Sequence, residues 1–381
     1  MNMELKPQFN EFLASIRPTD RQKEDWKGGA STLRARLDAD QDLKGLVVAT
    51  FLQGSVRRST AIRPSGDKRP DVDIVVVTNI DYENTTPEQA MKKFVPFLDR
   101  HYEGKWRWQG RSFGIELSYV DLDLVITALP KDPESRAVME SLYRSNSVLT
   151  NLSVEEDPSW RLNRQWRPSE LGEAASVLND LAPSEWRPHP LYLPDRDVGE
   201  WGRTHPLAQI QWTAAKNRVC NGHYVKIVRS LKWMKQEGTE EFPKYPKGYP
   251  LEHMIGHVIN DGTTSMAMGV VQVLESIRDT WEYAAQIGQV PVLPDHGVPE
   301  HDVLKRLPLE DFRAFHKAAS EAASRARAAL DSNDAQESAE LWRSLLGTKF
   351  PLPGPRGGDR APSVFNTPTK PAQPQTTQRF A

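Results

Sequence analysis

The sequence predicts an α+β protein: a mixed sheet carrying helices, then a mostly helical domain, then a disordered C-terminal tail. Three observations predict it. Short β-rich runs alternate with helical stretches only up to about residue 130, and helical periodicity dominates afterwards. From Pro351 onward, prolines and glycines replace apolar residues. With 381 residues the chain can bury a sizeable core and hold two domains. We set the boundaries at 1–165 for the core with its N-terminal helices, 166–346 for the helical domain and 347–381 for the tail.

Residues 7–39 read as helical, with Phe9, Phe12, Leu13 and Ile16 at helical spacing. Pro18 interrupts them, and Thr19-Asp20 offers a cap for a second stretch. The run LVVATFL (46–52) is a strand ending at Gln53-Gly54-Ser55, and a second strand, Ile74 to Thr78, follows Asp71-Val72-Asp73. Residues 87–101 form an amphipathic helical pattern, followed by β-like runs at 106–108 and 115–127. A helix is expected over 134–148, and the Pro- and Trp-rich span 153–206 reads as an irregular crossing. The clearest helix runs from Leu207 to Gln236, with Ile227, Val228, Leu231 and Met234 as a buried stripe and Gly238 as its stop. Further helices are expected at 251–260, 264–287 and 309–346. The tail has too few apolar residues to offset the entropy of ordering it.

Composition narrows the function. The 49 basic and 51 acidic residues give a formal charge of −2, so no global excess draws the protein onto nucleic acid. Cys220 is the single cysteine, which rules out an internal disulfide and a cysteine-based structural zinc module. The opening MNMELKPQFNEFLASIRP lacks the apolar core of a signal peptide, and no window approaches a membrane span. A cytoplasmic protein without membrane association is expected.

Chemistry concentrates in FLQGSVRRSTAIRPSGDKRPDVDIVVV, residues 51–77. Asp71 and Asp73 lie two apart at the mouth of a strand, so both side chains point to one face, about 7 Å apart. Two such charges repel by roughly 2 kcal/mol at an effective dielectric of ~20, a cost that a divalent cation removes. Upstream, Gly54 lets the backbone approach a phosphate, and Ser55 adds a hydroxyl and an N–H. Downstream, the alternating strand Tyr119-Val120-Asp121-Leu122-Asp123-Leu124-Val125 supplies two more same-face carboxylates. This is the set that two-metal phosphoryl transfer requires, with Mg²⁺ or Mn²⁺ as the ions. We take Asp123 as the third carboxylate because it directly precedes the apolar run, with Asp121 as the alternative.

The Gly-Ser turn followed by paired acids resembles the polymerase-β-like nucleotidyltransferase superfamily. Within it, GSVRRSTAIRP and DVDIVVV resemble the bacterial cyclic-oligonucleotide synthases related to cyclic GMP-AMP synthase, found in anti-phage operons. The resemblance implies a nucleotidyltransferase core and a helical domain that together form a nucleotide cleft. It implies ATP and other nucleoside triphosphates as substrates, and a cyclic di- or trinucleotide second messenger as product. Arg57 and Thr60 are typical of that branch, and Lys232, in IVRSLKWMK, matches a lysine that contacts the triphosphate. Tyr249, in KGYPLEHMI, matches a tyrosine that stacks on a base, while Gly248 stands where serine is usual. Some relatives are joined through a flexible C-terminus to a ubiquitin-transfer-like E1/E2 enzyme, which implies Ala381 as a conjugation site. The zinc insertion by which the animal relative senses DNA cannot be built here. Rival readings are nucleotidyl transfer to a separate acceptor (an RNA end, a protein or a small molecule) and an inactive nucleic-acid-binding relative.

Overall fold

A computed structural model describes residues 2–66, 68–144, 189–238 and 242–354. The tail beyond 354, including Ala381, and the expected 165/166 boundary lie outside the described residues. Pro18 divides the first helical stretch as its sequence demands. Helix α1 (Lys6–Ile16) ends before it, and α2 (Asp20–Ala39) begins with a capping box between Thr19 and Gln22.

One sheet organises the first half. Strand β1 (Val47–Gln53) pairs antiparallel with β2 (Asp71–Thr78), which pairs in parallel with β5 (Asp121–Ala128). Beyond β5 come β4 (Phe113–Glu116) and the edge strand β3 (Trp106–Trp108), both antiparallel. The short helix α3 (Gly54–Arg57) follows β1 directly. Alternation sorts the two faces of β2. Val72, Ile74 and Val76 pack under α2, α4 (Pro87–Lys92) and α5 (Val95–Tyr102), while Val75 and Val77 pack with α6 (Pro133–Arg144) on the opposite face.

The described second half is helical apart from one hairpin. Helices α7 (Pro206–Val219), α8 (His223–Glu237), α9 (Tyr249–Val258), α10 (Met266–Ile287), α11 (Leu309–Asp331) and α12 (Ala335–Leu346) surround an apolar core. Helix α1 joins that core, with Phe9 edge-on to both Trp342 and Phe350. No helix among the described residues is long and apolar enough to cross a membrane.

Several expectations need correction. The end of the expected irregular crossing is a hairpin, β6 (Leu191–Asp195) and β7 (Glu200–Thr204), and β6 extends the core sheet by pairing with β5 at Ala128–Tyr192. The helix expected over 87–101 is two, because Pro96 in the first turn of α5 has no N–H to continue α4. The β run expected over 115–127 is two strands, divided by a turn that the Leu117 N–H to Val120 O bond closes at 3.0 Å. The long helix expected from Leu207 breaks at Asn221 and Gly222, both left-handed at φ 53° and 75°. The last helix also divides, where Asp334 accepts from the Gln336 and Glu337 N–H groups and so starts α12.

Candidate active site

The parallel register of β2 and β5 sets Asp71 beside Asp121 and Asp73 beside Asp123. Paired residues of neighbouring strands share a face, so all four carboxylates stand on the α6 side, at the strand ends where the helical half takes over. The sheet thus delivers what the two alternating acid motifs predict.

Gly54 meets this group from β1. It sits in the left-handed region at φ 72°, and a Cβ built on it would overlap the Asp73 carboxylate. Only glycine lets the turn close against that side chain.

The carboxylates resist ionisation. Desolvation in the cleft, then the charges of Asp123 and Asp73, push Asp71 up to about 7, although its side chain reaches solvent. Burial and then Asp73 raise Asp123 to about 6, and burial also raises Asp73, against the pull of Arg58. The two acids of β5 differ in their partners. Asp121 accepts from Arg69 Nε at 2.8 Å, whereas Asp123 accepts from the neutral Gln109 amide at 2.9 Å. Asp121 is thus paired with a cation, and Asp123 is bonded to a neutral group. Among the described residues, no three His, Cys, Asp or Glu side chains already converge as a metal-ligand cluster. The donor set is nevertheless all-oxygen and mutually repulsive, which fits Mg²⁺ or Mn²⁺ rather than a soft metal.

Behind the carboxylates lies a buried polar node that the sequence reading missed. Glu252, on the first turn of α9, is 1% exposed and accepts from Arg58 Nε at 2.9 Å, Thr60 Oγ1 at 2.8 Å and Lys232 Nζ at 3.1 Å. Lys232 also donates to the Thr60 carbonyl at 3.0 Å. Burial would raise the Glu252 carboxyl, but Arg58 and then Lys232 outweigh it and hold it down at about 2. Thr60 is fully buried, so its side chain serves this node. Arg57 is half-buried, and burial lowers its pKa to about 10. The arginine that enters the node is its neighbour Arg58, whose guanidinium lies over the Tyr249 ring at 5.0 Å from the centroid. A charged residue among the buried Leu251, Met254 and Ile255 was the available signal, since such a carboxylate must find partners. His253 packs on His296, which stacks on Trp212.

A cavity of about 810 Å³ opens beside Tyr249. The β6–β7 hairpin and residues 295–306 wall it, with Arg111, Trp201, Arg203, Asp295 and Arg306 along the sides. Arg111 and Arg306 both grip Asp195, which fastens the hairpin to the sheet and to the helical half.

Comparison with known proteins adds the family. Residues 3–133 match the Second Messenger Oligonucleotide or Dinucleotide Synthetase domain. The chain is 60% identical to the cyclic AMP-AMP-GMP synthase of Enterobacter hormaechei over the full length of both, and a counterpart from Salmonella paratyphi B is equally similar. The fold matches that of the Bradyrhizobium diazoefficiens CD-NTase CdnG, solved with GTP. That match has a TM-score of 0.62 and 13% identity, and it covers 89% of this chain and 94% of that one. Such identity along the entire sequence, on a fold that brings the paired acids together, shows that the chain belongs to the cyclic-oligonucleotide synthases, nucleotidyltransferases that build second messengers from nucleoside triphosphates.

Proposed function

We propose that this synthase joins ATP and GTP into cyclic AMP-AMP-GMP, a messenger for a separate effector in anti-phage defence, with Asp71, Asp73 and Asp123 as its catalytic carboxylates. The observation that carries the site assignment is the register of β2 and β5, which sets three ionisation-resistant carboxylates on one face against Gly54. The product follows the relatives that share 60% of the sequence and bear that activity in their names.

Asp71, Asp73 and Asp123 would hold two Mg²⁺ or Mn²⁺ ions, with Asp121 the alternative ligand. When bound, the ions supply charge neutralisation to the triphosphate and activation to the attacking hydroxyl. Asp123 positions the acceptor ribose hydroxyl and takes its proton. Gly54 and Ser55 present N–H groups to the phosphates, and Lys232 and Arg57 supply positive charge. Tyr249 stacks on a base at the cavity mouth. Thr60 contributes indirectly, through Glu252. The oxygen attacks the α-phosphorus, a P–O bond forms and pyrophosphate leaves. Repetition of that step, ending in ring closure, gives the cyclic product. The reading extends to Ala381 as the residue that a ubiquitin-transfer-like E1/E2 enzyme conjugates, supported by the composition of the tail.

The test is incubation of purified protein with labelled ATP and GTP and Mg²⁺, then phosphatase treatment and mass spectrometry, beside Asp71→Asn/Asp73→Asn. A phosphatase-resistant product with the mass of cyclic AMP-AMP-GMP, absent from the double variant, is expected. Product that appears only when an RNA, protein or small-molecule acceptor is added would refute it.

A further inference from the structure

Glu252 entered the reaction above only as the partner of Thr60, yet three groups of that site converge on it. Its partners Arg58 and Thr60 lie 194 and 192 residues away, and Lys232 lies 20 away, so only the assembled fold brings them together. Its own carbonyl accepts from the buried Tyr224 hydroxyl at 2.9 Å, which fixes the first turn of α9 against α8. Arg58 is 4% exposed and Lys232 is mostly covered, so neither cation trades its partner freely for water.

The arrangement exceeds what packing requires. A buried carboxylate costs free energy unless it is paired and hydrogen-bonded, and an apolar side chain would fill the same space without that cost. Each bond also aims a group of the cleft. An ammonium has three donors, and Glu252 and the Thr60 carbonyl take two of those on Lys232, leaving the third with a set direction. Arg58 is held between Glu252 and the Tyr249 ring. Thr60 is tied at the exit of the turn that Gly54 and Ser55 begin. One carboxylate therefore registers α3, α8 and α9 against one another.

We propose that Glu252 is a positioning residue of nucleotidyl transfer, fixing Lys232 where it meets the triphosphate and Arg58 and Thr60 at the exit of the Gly-Ser turn. The inference rests on the assignment of Lys232 to the phosphates and adds the group that aims it. It predicts that Glu252 acts through Lys232, and a double-mutant cycle reads that coupling.

The experiment compares wild type, Glu252→Gln, Lys232→Met and the double variant. Mg·ATP affinity is measured by calorimetry, kcat and KM for ATP where turnover occurs, and the melting temperature of each protein. Glu252→Gln is expected to weaken ATP binding at least tenfold, with the loss in KM more than in kcat. In the Lys232→Met background the same change is expected to cost less than threefold. A Glu252 that serves stability alone lowers the melting temperature while ATP affinity stays within threefold of wild type, and that result overturns the proposal. Losses that multiply in the double variant overturn it too. If Glu252→Gln does not fold, the double variant, which leaves one buried cation without a carboxylate instead of two, carries the test against Lys232→Met. A further tenfold loss refutes the proposal there, and affinity within threefold supports it. Should wild type bind ATP in this pattern yet form no cyclic product, the proposed function falls and the positioning role stands.

Discussion

Replacing Asp123 with asparagine is expected to stabilise the metal-free protein while abolishing synthesis. Asp123 titrates near 6 instead of its ordinary 3.8, because burial and Asp73 disfavour its charge. Each tenfold change in proton affinity is worth 1.36 kcal/mol, so ionising it in the folded protein costs about 3 kcal/mol. Its partial contact with solvent reduces that figure to about 1–2 kcal/mol. The folded-state value lies above the unfolded one. The fold therefore has the full advantage of a protonated Asp123 below about pH 4, loses it as pH rises through about 6, and lacks it at pH 8. Asparagine keeps an acceptor for Gln109 and never carries the charge, so its gain over wild type appears at pH 8 and vanishes at pH 4. Thermal unfolding in chelator at both pH values measures this. Adding Mg²⁺ at pH 8 should then raise the wild-type melting temperature more than that of the variant. A variant less stable than wild type at pH 8 would refute the argument that burial and mutual repulsion, unrelieved without a cation, destabilise the charged Asp123.

The remaining predictions concern neighbours of that carboxylate. Gly54→Ala places a methyl group onto the Asp73 carboxylate and adds about 1–2 kcal/mol of left-handed strain. It should lower kcat more than a hundredfold with a modest fall in melting temperature, measured by product formation and calorimetry. Asp121→Asn, whose charge Arg69 already answers at 2.8 Å, should lower kcat less than tenfold, whereas Asp123→Asn should exceed a hundredfold. Equal losses at the two positions would mean that the arginine does not withdraw Asp121 from the chemistry.

What the sequence disclosed depended on how local the cause was. The acids of DVD and DLD announced their shared face because a strand alternates with period two, and the parallel register then brought the two motifs together. Helix interiors were legible from apolar spacing, but their breaks depended on single residues such as Pro96, Asn221 and Asp334. The β6–β7 hairpin was not legible. Pro194, Asp195 and Asp197 disguise it, and its register is set by contacts with β5 and by arginines far along the chain. The Glu252 node was hidden for the same reason, since its partners are distant in sequence and none of them alone signals a buried charge.

The docking of α1 among α8 to α12 bears on how the chain is made. Phe9 finds Trp342 and Phe350 only after almost every described residue has been synthesised, whereas α2 can settle on β1 and β2 early. The ribosome therefore releases a sheet able to close early, preceded by a helix whose apolar face waits unpaired for its partners. Such late, long-range closure is slow, and it exposes apolar surface to other chains while it lasts. The helical half is thus the point at which a nascent chain is most open to chaperones and to aggregation. In this order α1 finds its place in the helical half only once the chain has been made as far as Phe350.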